Sequence, residues 1–308
     1  MKNVIYGLGE RFEEYLLSVD DKLTDIIALV DKDNEKHGKY ICGVKVVSPS
    51  ELDNISCDNI LISSEKYFEE IKTELVLLGC EENKIKKLEY RADKYSGELA
   101  YWRMQYRKEN GNFRNHGYKE IFLEISGESD DVFLDNKIMA DFGCGPRGSL
   151  AWTSKPKVKI GIDVLANAYM RYFGDCLEKH DMIYLNSDEY RIPLPNCYVD
   201  IISTINSLDH VADLDNMVEE ICRVLKPGGL LLGSFNLHEP KTQCEPQTLT
   251  EELLNRKLLY RFDIISKKIA IKGKTDTYSE LKAGNYVQKL LPDQAGEMWV
   301  KARLKNRG

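Results

Sequence analysis

The apolar positions of the chain fall into short unbroken runs separated by longer periodic stretches. Val4-Ile5-Tyr6 stops at Gly7-Leu8-Gly9, and Phe12, Tyr15, Leu16 and Val19 then recur at the spacing of one helix face. Residues 25–31 form a second apolar run and residues 59–64 a third, followed by Phe68, Ile71, Leu75 and Leu78 on a helical stripe. Apolar strands alternating with helices predict a parallel sheet covered on both faces. The same alternation returns after residue 121, with strands predicted at 137–141, 158–163, 199–203, 229–234, 262–265 and 298–303. Between the two regions, Tyr101, Trp102, Tyr106, Phe113 and Tyr118 are interleaved with charges, which predicts a linker helix and then a loop at Asn110-Gly111-Asn112. The expected organisation is α/β throughout: a small module over residues 1–90, a helical linker or lid over 91–120, and a larger domain over 121–308.

Composition narrows this picture. A length of 308 residues suits two domains. With 43% hydrophobic and 30% charged residues the chain reads as globular rather than disordered. A net charge of −7 argues against a broad basic surface, and so against nucleic acid as partner. No stretch approaches the roughly 20 apolar residues of a membrane span, and the start lacks the apolar segment of a signal peptide. The eight cysteines are scattered without C-x-x-C spacing, the pattern of reduced thiols in a cytoplasmic protein rather than a zinc site or disulfide framework.

Candidate chemistry concentrates in the larger region. Asp141-Phe142-Gly143-Cys144-Gly145-Pro146 places two glycines, with Gly148 beyond, where a strand ends. Such a turn lets backbone approach a ligand in the crevice beyond strand carboxyl ends. Asp163 ends the next predicted strand; it suits a ribose diol, and equally a helix N-cap. Asp188 lies in Asn186-Ser187-Asp188-Glu189, before the proline-stiffened Ile192-Pro193-Leu194-Pro195. It can accept from an exocyclic amine or close a polar turn. The strand at 199–203 runs into the polar cluster Asn206-Ser207-Leu208-Asp209-His210, and a helix ends in Lys226-Pro227-Gly228-Gly229, where glycine has a capping explanation.

In this order and spacing, the segment from Asp141 to Gly233 resembles class I S-adenosylmethionine-dependent methyltransferases. The resemblance implies a seven-stranded, mostly parallel Rossmann-like sheet with one antiparallel strand near an edge. It further implies that Asp141, Gly143, Cys144 and Gly145 shape the pocket for the methionine part of S-adenosyl-L-methionine. Asp163 would hold the ribose, with Val164 and Leu165 flanking the adenine. Asp188 would face the adenine amine, with Glu189 supplying a backbone donor, and Asn206 would line the path to the methyl group. Gly145-Pro146-Arg147-Gly148-Ser149-Leu150, Asn206–Val211 and Asn236-Leu237-His238-Glu239-Pro240 are similar to methyltransferases of bacterial sugar and surface-glycan pathways. The acceptor is therefore expected to be a small molecule, a sugar or nucleotide-sugar; a homo-oligomer is compatible with the sequence.

Methyl transfer asks the protein mainly for proximity and orientation, and an oxygen nucleophile benefits from a base of near-neutral pKa. Among the five histidines, His210 and His238 follow predicted strands at their carboxyl ends and are the candidates. Asp209 is adjacent to His210, and neighbours on a helix do not face each other, so no Asp209–His210 dyad is expected. No metal is assigned, although His238, Glu239 and Glu245 could contribute ligands. Tyr101, Trp102, Asn115, His116 and Tyr118 either form a lid or pack the linker. In the first module Gly7-Leu8-Gly9-Glu10-Arg11-Phe12 puts Phe12 where a dinucleotide fingerprint has its third glycine. That module resembles the small Rossmann-like modules beside sugar-modifying transferases, which implies a scaffold or nucleotide-sugar recognition. A fused NAD-linked activity and a non-catalytic cofactor-binding protein are the alternatives.

Overall fold

In a computed structural model, which describes residues 1–19, 21–90, 94–274 and 276–306, the apolar runs become strands of two compact units, Met1–Lys108 and Glu109–Gly308. The first contains β1 (Asn3–Tyr6), α1 (Glu10–Ser18), β2 (Ile26–Val30), β3 (Tyr40–Ile41), β4 (Val44–Val47), β5 (Asn59–Ile62), α2 (Phe68–Leu77), β6 (Ile85–Lys87) and α3 (Lys94–Lys108). Its six-stranded sheet has the order β3-β4-β2-β1-β5-β6, parallel except for the antiparallel β3–β4 pair. Val4, Ile5, Leu29 and Val30 are fully buried, as strands covered on both faces must be. Phe12 is also fully buried, packed with Ile5, Leu16 and Leu29.

The second unit contains α4 (Gly117–Ser126), β7 (Ile138–Phe142), β8 (Val158–Asp163), α5 (Ala166–Leu177), β9 (Ile183–Asn186), β10 (Val199–Ile205), α6 (Leu214–Val224), β11 (Leu225–Leu237), α7 (Glu251–Lys257), β12 (Phe262–Ile271), α8 (Ser279–Lys282) and β13 (Gly296–Leu304). The seven strands are ordered β12-β13-β11-β10-β7-β8-β9. Only β13 runs against its neighbours, between β11 and β12, so the expected mostly parallel sheet is present. The chain leaves β7 toward β8 and β9 on one side, then returns to β10 on the other. That reversal opens a crevice at the carboxyl ends of β7 and β10. α6 covers the sheet with Leu214, Met217, Val218, Ile221 and Val224, an apolar stripe at helical spacing.

Three sequence expectations change. The segment 91–120 is divided: α3 packs on α1 in the first unit, where Arg103 pairs with Asp21 and Glu13 at 2.7 and 3.2 Å, whereas the loop at 110–112 and α4 lie in the second. The boundary expected after residue 90 adjoins residues 91–93, which lie outside the described ones. Gly228 does not cap α6. Leu225 already pairs with Val199, and the register resumes only at Leu230 opposite Ile201, so Pro227-Gly228-Gly229 is a bulge inside β11. β12 continues past the apolar residues 262–265 to Ile271, because Ser266, Lys267 and Lys268 occupy an edge strand, where lysine is at home. All eight cysteines are thiols, outside any disulfide. Among the described residues, no helix is long and apolar enough to cross a membrane.

Candidate active site

The glycine turn begins where β7 ends. Asp141, 1% exposed, accepts hydrogen bonds of 2.5 Å from both Ser149 and Ser203 hydroxyls. Burial pushes its carboxyl up to about 6 against the pull of those two donors. The Gly143 and Cys144 N–H groups both donate to the Ile162 carbonyl, at 2.8 and 3.3 Å. Gly143 has φ +69°, and a Cβ there would stand 2.2 Å from Ser207 Cβ. Glycine is thus required twice over, by conformation and by space. Cys144 turns its thiol onto β8, 2.7 Å from where a Cβ on Gly161 would stand. Its side chain therefore packs the turn from within.

Asp163 ends β8 and joins the neighbouring turns. One carboxylate oxygen accepts from Gly145 N–H at 3.0 Å and the other from Leu165 N–H at 2.9 Å. It ties the glycine turn to the segment that enters α5, whose N-cap is Leu165 rather than Asp163. Val164 is half-buried and Leu165 buried beside it. At the end of β9, Ser187 N–H donates to the Asp163 carbonyl at 3.0 Å, while the Ser187 hydroxyl is buried with no hydrogen-bond partner. Asp188 is exposed and accepts from the Tyr190 and Arg191 N–H groups at 2.8 and 2.6 Å, closing the polar turn. Glu189 beside it is half-buried.

At the end of β10, Asn206 adopts φ +48°. Its amide donates to the Tyr278 hydroxyl at 2.9 Å and accepts from the Ser234 hydroxyl at 3.0 Å. Beyond it, Leu208–His210 form a short 3-10 turn. This turn, not an α-helix, brings a carboxylate oxygen of Asp209 and ring nitrogen of His210 within 4.8 Å of each other and of Glu245. The two neighbours expected to diverge therefore converge. His210 Nε2 is 3.7 Å from Glu245 Oε1. His238, half-buried after β11, has Nδ1 3.1 and 3.0 Å from the Leu291 and Gln294 carbonyls, so that nitrogen carries the proton. Glu239 pairs instead with Lys272 at 2.6 Å. His116 precedes α4, and Tyr118 packs α4 against the sheet with Phe122 and Leu150.

A family model described as a methyltransferase domain matches residues 140–233. These residues form an S-adenosylmethionine-dependent methyltransferase domain. A second family model, described as "C2185-like, N-terminal", matches residues 1–86. The chain is also similar to the ubiquinone/menaquinone biosynthesis C-methyltransferase UbiE of Neisseria meningitidis serogroup C (strain 053442), with 40% identity over 60 residues. That stretch is 19% of this chain and only 24% of the enzyme. Among solved structures, the [4+2]-cyclase SpnF aligns at TM-score 0.45 and 20% identity, over 61% of this chain and 80% of its own. An S-adenosylmethionine-dependent methyltransferase from Mesorhizobium loti aligns at 0.42 and 15%, over 55% and 92%.

Within the methyltransferase domain, the donor set at the strand ends suits the cofactor. An acidic group beside β8's turn and a buried, unpartnered hydroxyl at β9 are the chemistry an adenosine moiety satisfies. Sequence reasoning missed Ser187, Ser203 and Tyr278. Ser203 had a visible mark, a hydroxyl inside the apolar run of β10. Tyr278 had none, since it reaches the site from a remote segment. Arg147 is held by Glu109 at 2.7 Å and by the Arg114 carbonyl at 2.9 Å.

Proposed function

We propose that this chain transfers a methyl group from S-adenosylmethionine to a hydroxyl of a small-molecule acceptor, a sugar or glycan precursor such as a nucleotide-sugar. The observation that carries the reading is Asp163, whose carboxylate ties the glycine turn to α5 at the strand ends of a methyltransferase domain. Asp141, Gly143, Cys144 and Gly145 shape the methionine side, Asp163, Val164 and Leu165 the ribose and adenine side, and Asp188 and Glu189 the adenine edge. The cofactor supplies an electrophilic methyl. Asn206, fixed by Ser234 and Tyr278, lines the acceptor side, and His210, whose Nε2 is 3.7 Å from Glu245 Oε1, takes the hydroxyl proton. His238 is the second candidate base.

The first unit is a scaffold or recognises a nucleotide-sugar rather than a redox cofactor. Asp31, the residue that would hold a ribose there, already accepts from Leu8 N–H, Lys36 and Asp33 N–H at 2.8, 2.9 and 2.8 Å. Cysteines outside any disulfide suit a reducing, cytoplasmic setting. Calorimetric titration tests the reading. S-adenosylmethionine binds, Asp163→Ala weakens it by roughly tenfold or more, and His210→Ala lowers labelled methyl transfer while cofactor affinity holds. Absence of binding at millimolar cofactor would overturn the proposal; binding without transfer across nucleotide-sugars and glycan precursors would leave a cofactor-binding protein.

A further inference from the structure

We propose that Asp209, His210 and Glu245 form a binding site for one divalent transition-metal cation. Their ligand atoms, one from each, lie within 4.8 Å of one another. Two come from the 3-10 turn after β10, and Glu245 comes from the loop after β11. That loop is clipped in place: Gln247 N–H donates to the Asp209 carbonyl, and the Gln247 side chain donates to the Val211 and Ala212 carbonyls, all at 3.1 Å. Thr242 closes a turn on Glu245, accepting from its N–H at 2.9 Å. The three ligands are thus presented by backbone that is tied together, although Glu245 is remote in sequence from the adjacent Asp209 and His210.

The independent observation is Asp209 itself. It is only 3% exposed, and its Oδ1 is buried with no hydrogen-bond partner. Its Oδ2 accepts a long contact, 3.5 Å, from Asn236. A buried carboxylate in this condition costs several kcal/mol unless paired, protonated or ligating a metal. The groups facing it sharpen the case. His210 is the basic group beside it and is itself one of the three ligands, Glu245 and Glu297 are further carboxyls, Asn236 is neutral, and Lys272 is engaged by Glu239. A cation among Asp209, His210 and Glu245 supplies the missing charge.

The donor set selects the metal. One imidazole with two carboxylates favours manganese or zinc over magnesium or calcium, which prefer oxygen alone. Three protein ligands leave positions open, the arrangement of a working rather than a structural site. The site lies at the strand ends where the proposed function puts the acceptor, so its use rests on that reading; the binding itself does not. A bound cation would orient and polarise an acceptor hydroxyl, with His210 as its ligand and the hydroxyl proton passing to His238, the second candidate base.

The test titrates Mn2+ into the full-length, chelator-treated protein, following loss of the free-ion paramagnetic resonance signal and heat. One equivalent should bind, and Asp209→Asn and Glu245→Gln should each weaken it by roughly tenfold or more. Glu245→Gln changes a half-exposed loop residue, so its effect is readable even where Asp209→Asn perturbs folding. No saturable binding at millimolar Mn2+, or binding untouched by Glu245→Gln in a folded protein, overturns the site. S-adenosylmethionine is titrated in parallel. Manganese binding without cofactor binding sinks the methyl-transfer reading and leaves the cation site standing; the converse sinks the cation site and leaves His210 as base.

Discussion

At the residue scale, polar groups buried in the sheet decide how the methyltransferase domain responds to pH. Glu297 on β13 is fully buried, and burial pushes its carboxyl up to about 9. It lies 2.7 Å from the Asn236 side-chain amide. A neutral Glu297 donates to the amide oxygen; an ionised one would require the amide to turn round. The folded chain thus holds a proton that the unfolded chain releases near 4.5. Between those values the native state binds more protons, so rising pH lowers stability. Melting midpoints should fall from about pH 5 to about pH 9, at most about 1.4 kcal/mol per unit of raised pKa. Glu297→Gln, which keeps the shape without the charge, should flatten that slope. Asp141 and Asp209 are raised in the same direction, so only the difference between the two slopes isolates Glu297; equal slopes would show it is not protonated. Gly143 gives a second test. Gly143→Ala combines φ +69° with a 2.2 Å clash against Ser207 and should cost about 1–3 kcal/mol, read as a lower melting temperature and weaker cofactor binding. A melt unchanged by the substitution would mean the turn is not held as described.

At the element scale, the sequence was legible wherever packing is two-sided. β1, β2, β5, β7, β8 and β10 are mostly apolar, with few interruptions such as Lys159 in β8 and Asp200 and Ser203 in β10, and each was readable as a strand. What was not legible depends on partners remote in sequence. The extension of β12 through Ser266-Lys267-Lys268 is stabilised by β13, and no local pattern announces an edge. Likewise Lys226-Pro227-Gly228-Gly229 reads as a helix stop, and only the pairing of Leu225 with Val199 makes it a bulge. The site followed the same division. Asp141, the glycines and Asp163 could be singled out because they sit at the ends of apolar runs, whereas Tyr278 arrives by a tertiary route, and Glu245, named with His238 and Glu239 as a possible ligand, lies instead beside Asp209 and His210. The bulge makes its own prediction. Gly228 has φ +75° with open space around its Cβ position, so Gly228→Ala should cost only the conformational term, about 1 kcal/mol. Thermal melts should register that loss while S-adenosylmethionine titration does not change; a large fall in cofactor affinity would tie the bulge to the site.

At the scale of the whole molecule, each unit buries its own core. Val4, Ala28, Ile60 and Leu75 cluster in the first; Val199, Leu231, Met298 and their neighbours cluster in the second. Every candidate cofactor residue, from Asp141 to Asn206, belongs to the second unit, as do Glu109 and Arg114, which hold Arg147 just beyond the glycine turn. A fragment beginning at Glu109 should therefore fold cooperatively, since it retains a complete seven-stranded sheet with its covering helices. It should bind S-adenosylmethionine within roughly threefold of the full chain, less than about 0.7 kcal/mol. Calorimetry and a single melting transition check both statements. A fragment that aggregates or loses the cofactor would mean the first unit contributes to stability or binding beyond its own core. Methyl transfer then separates the remaining roles. A fragment that binds cofactor but fails to methylate an acceptor used by the full chain places acceptor recognition in the first unit. Equal transfer by both removes recognition from that unit and leaves its six-stranded sheet, with Asp31 satisfied by its own backbone and Lys36, as a scaffold.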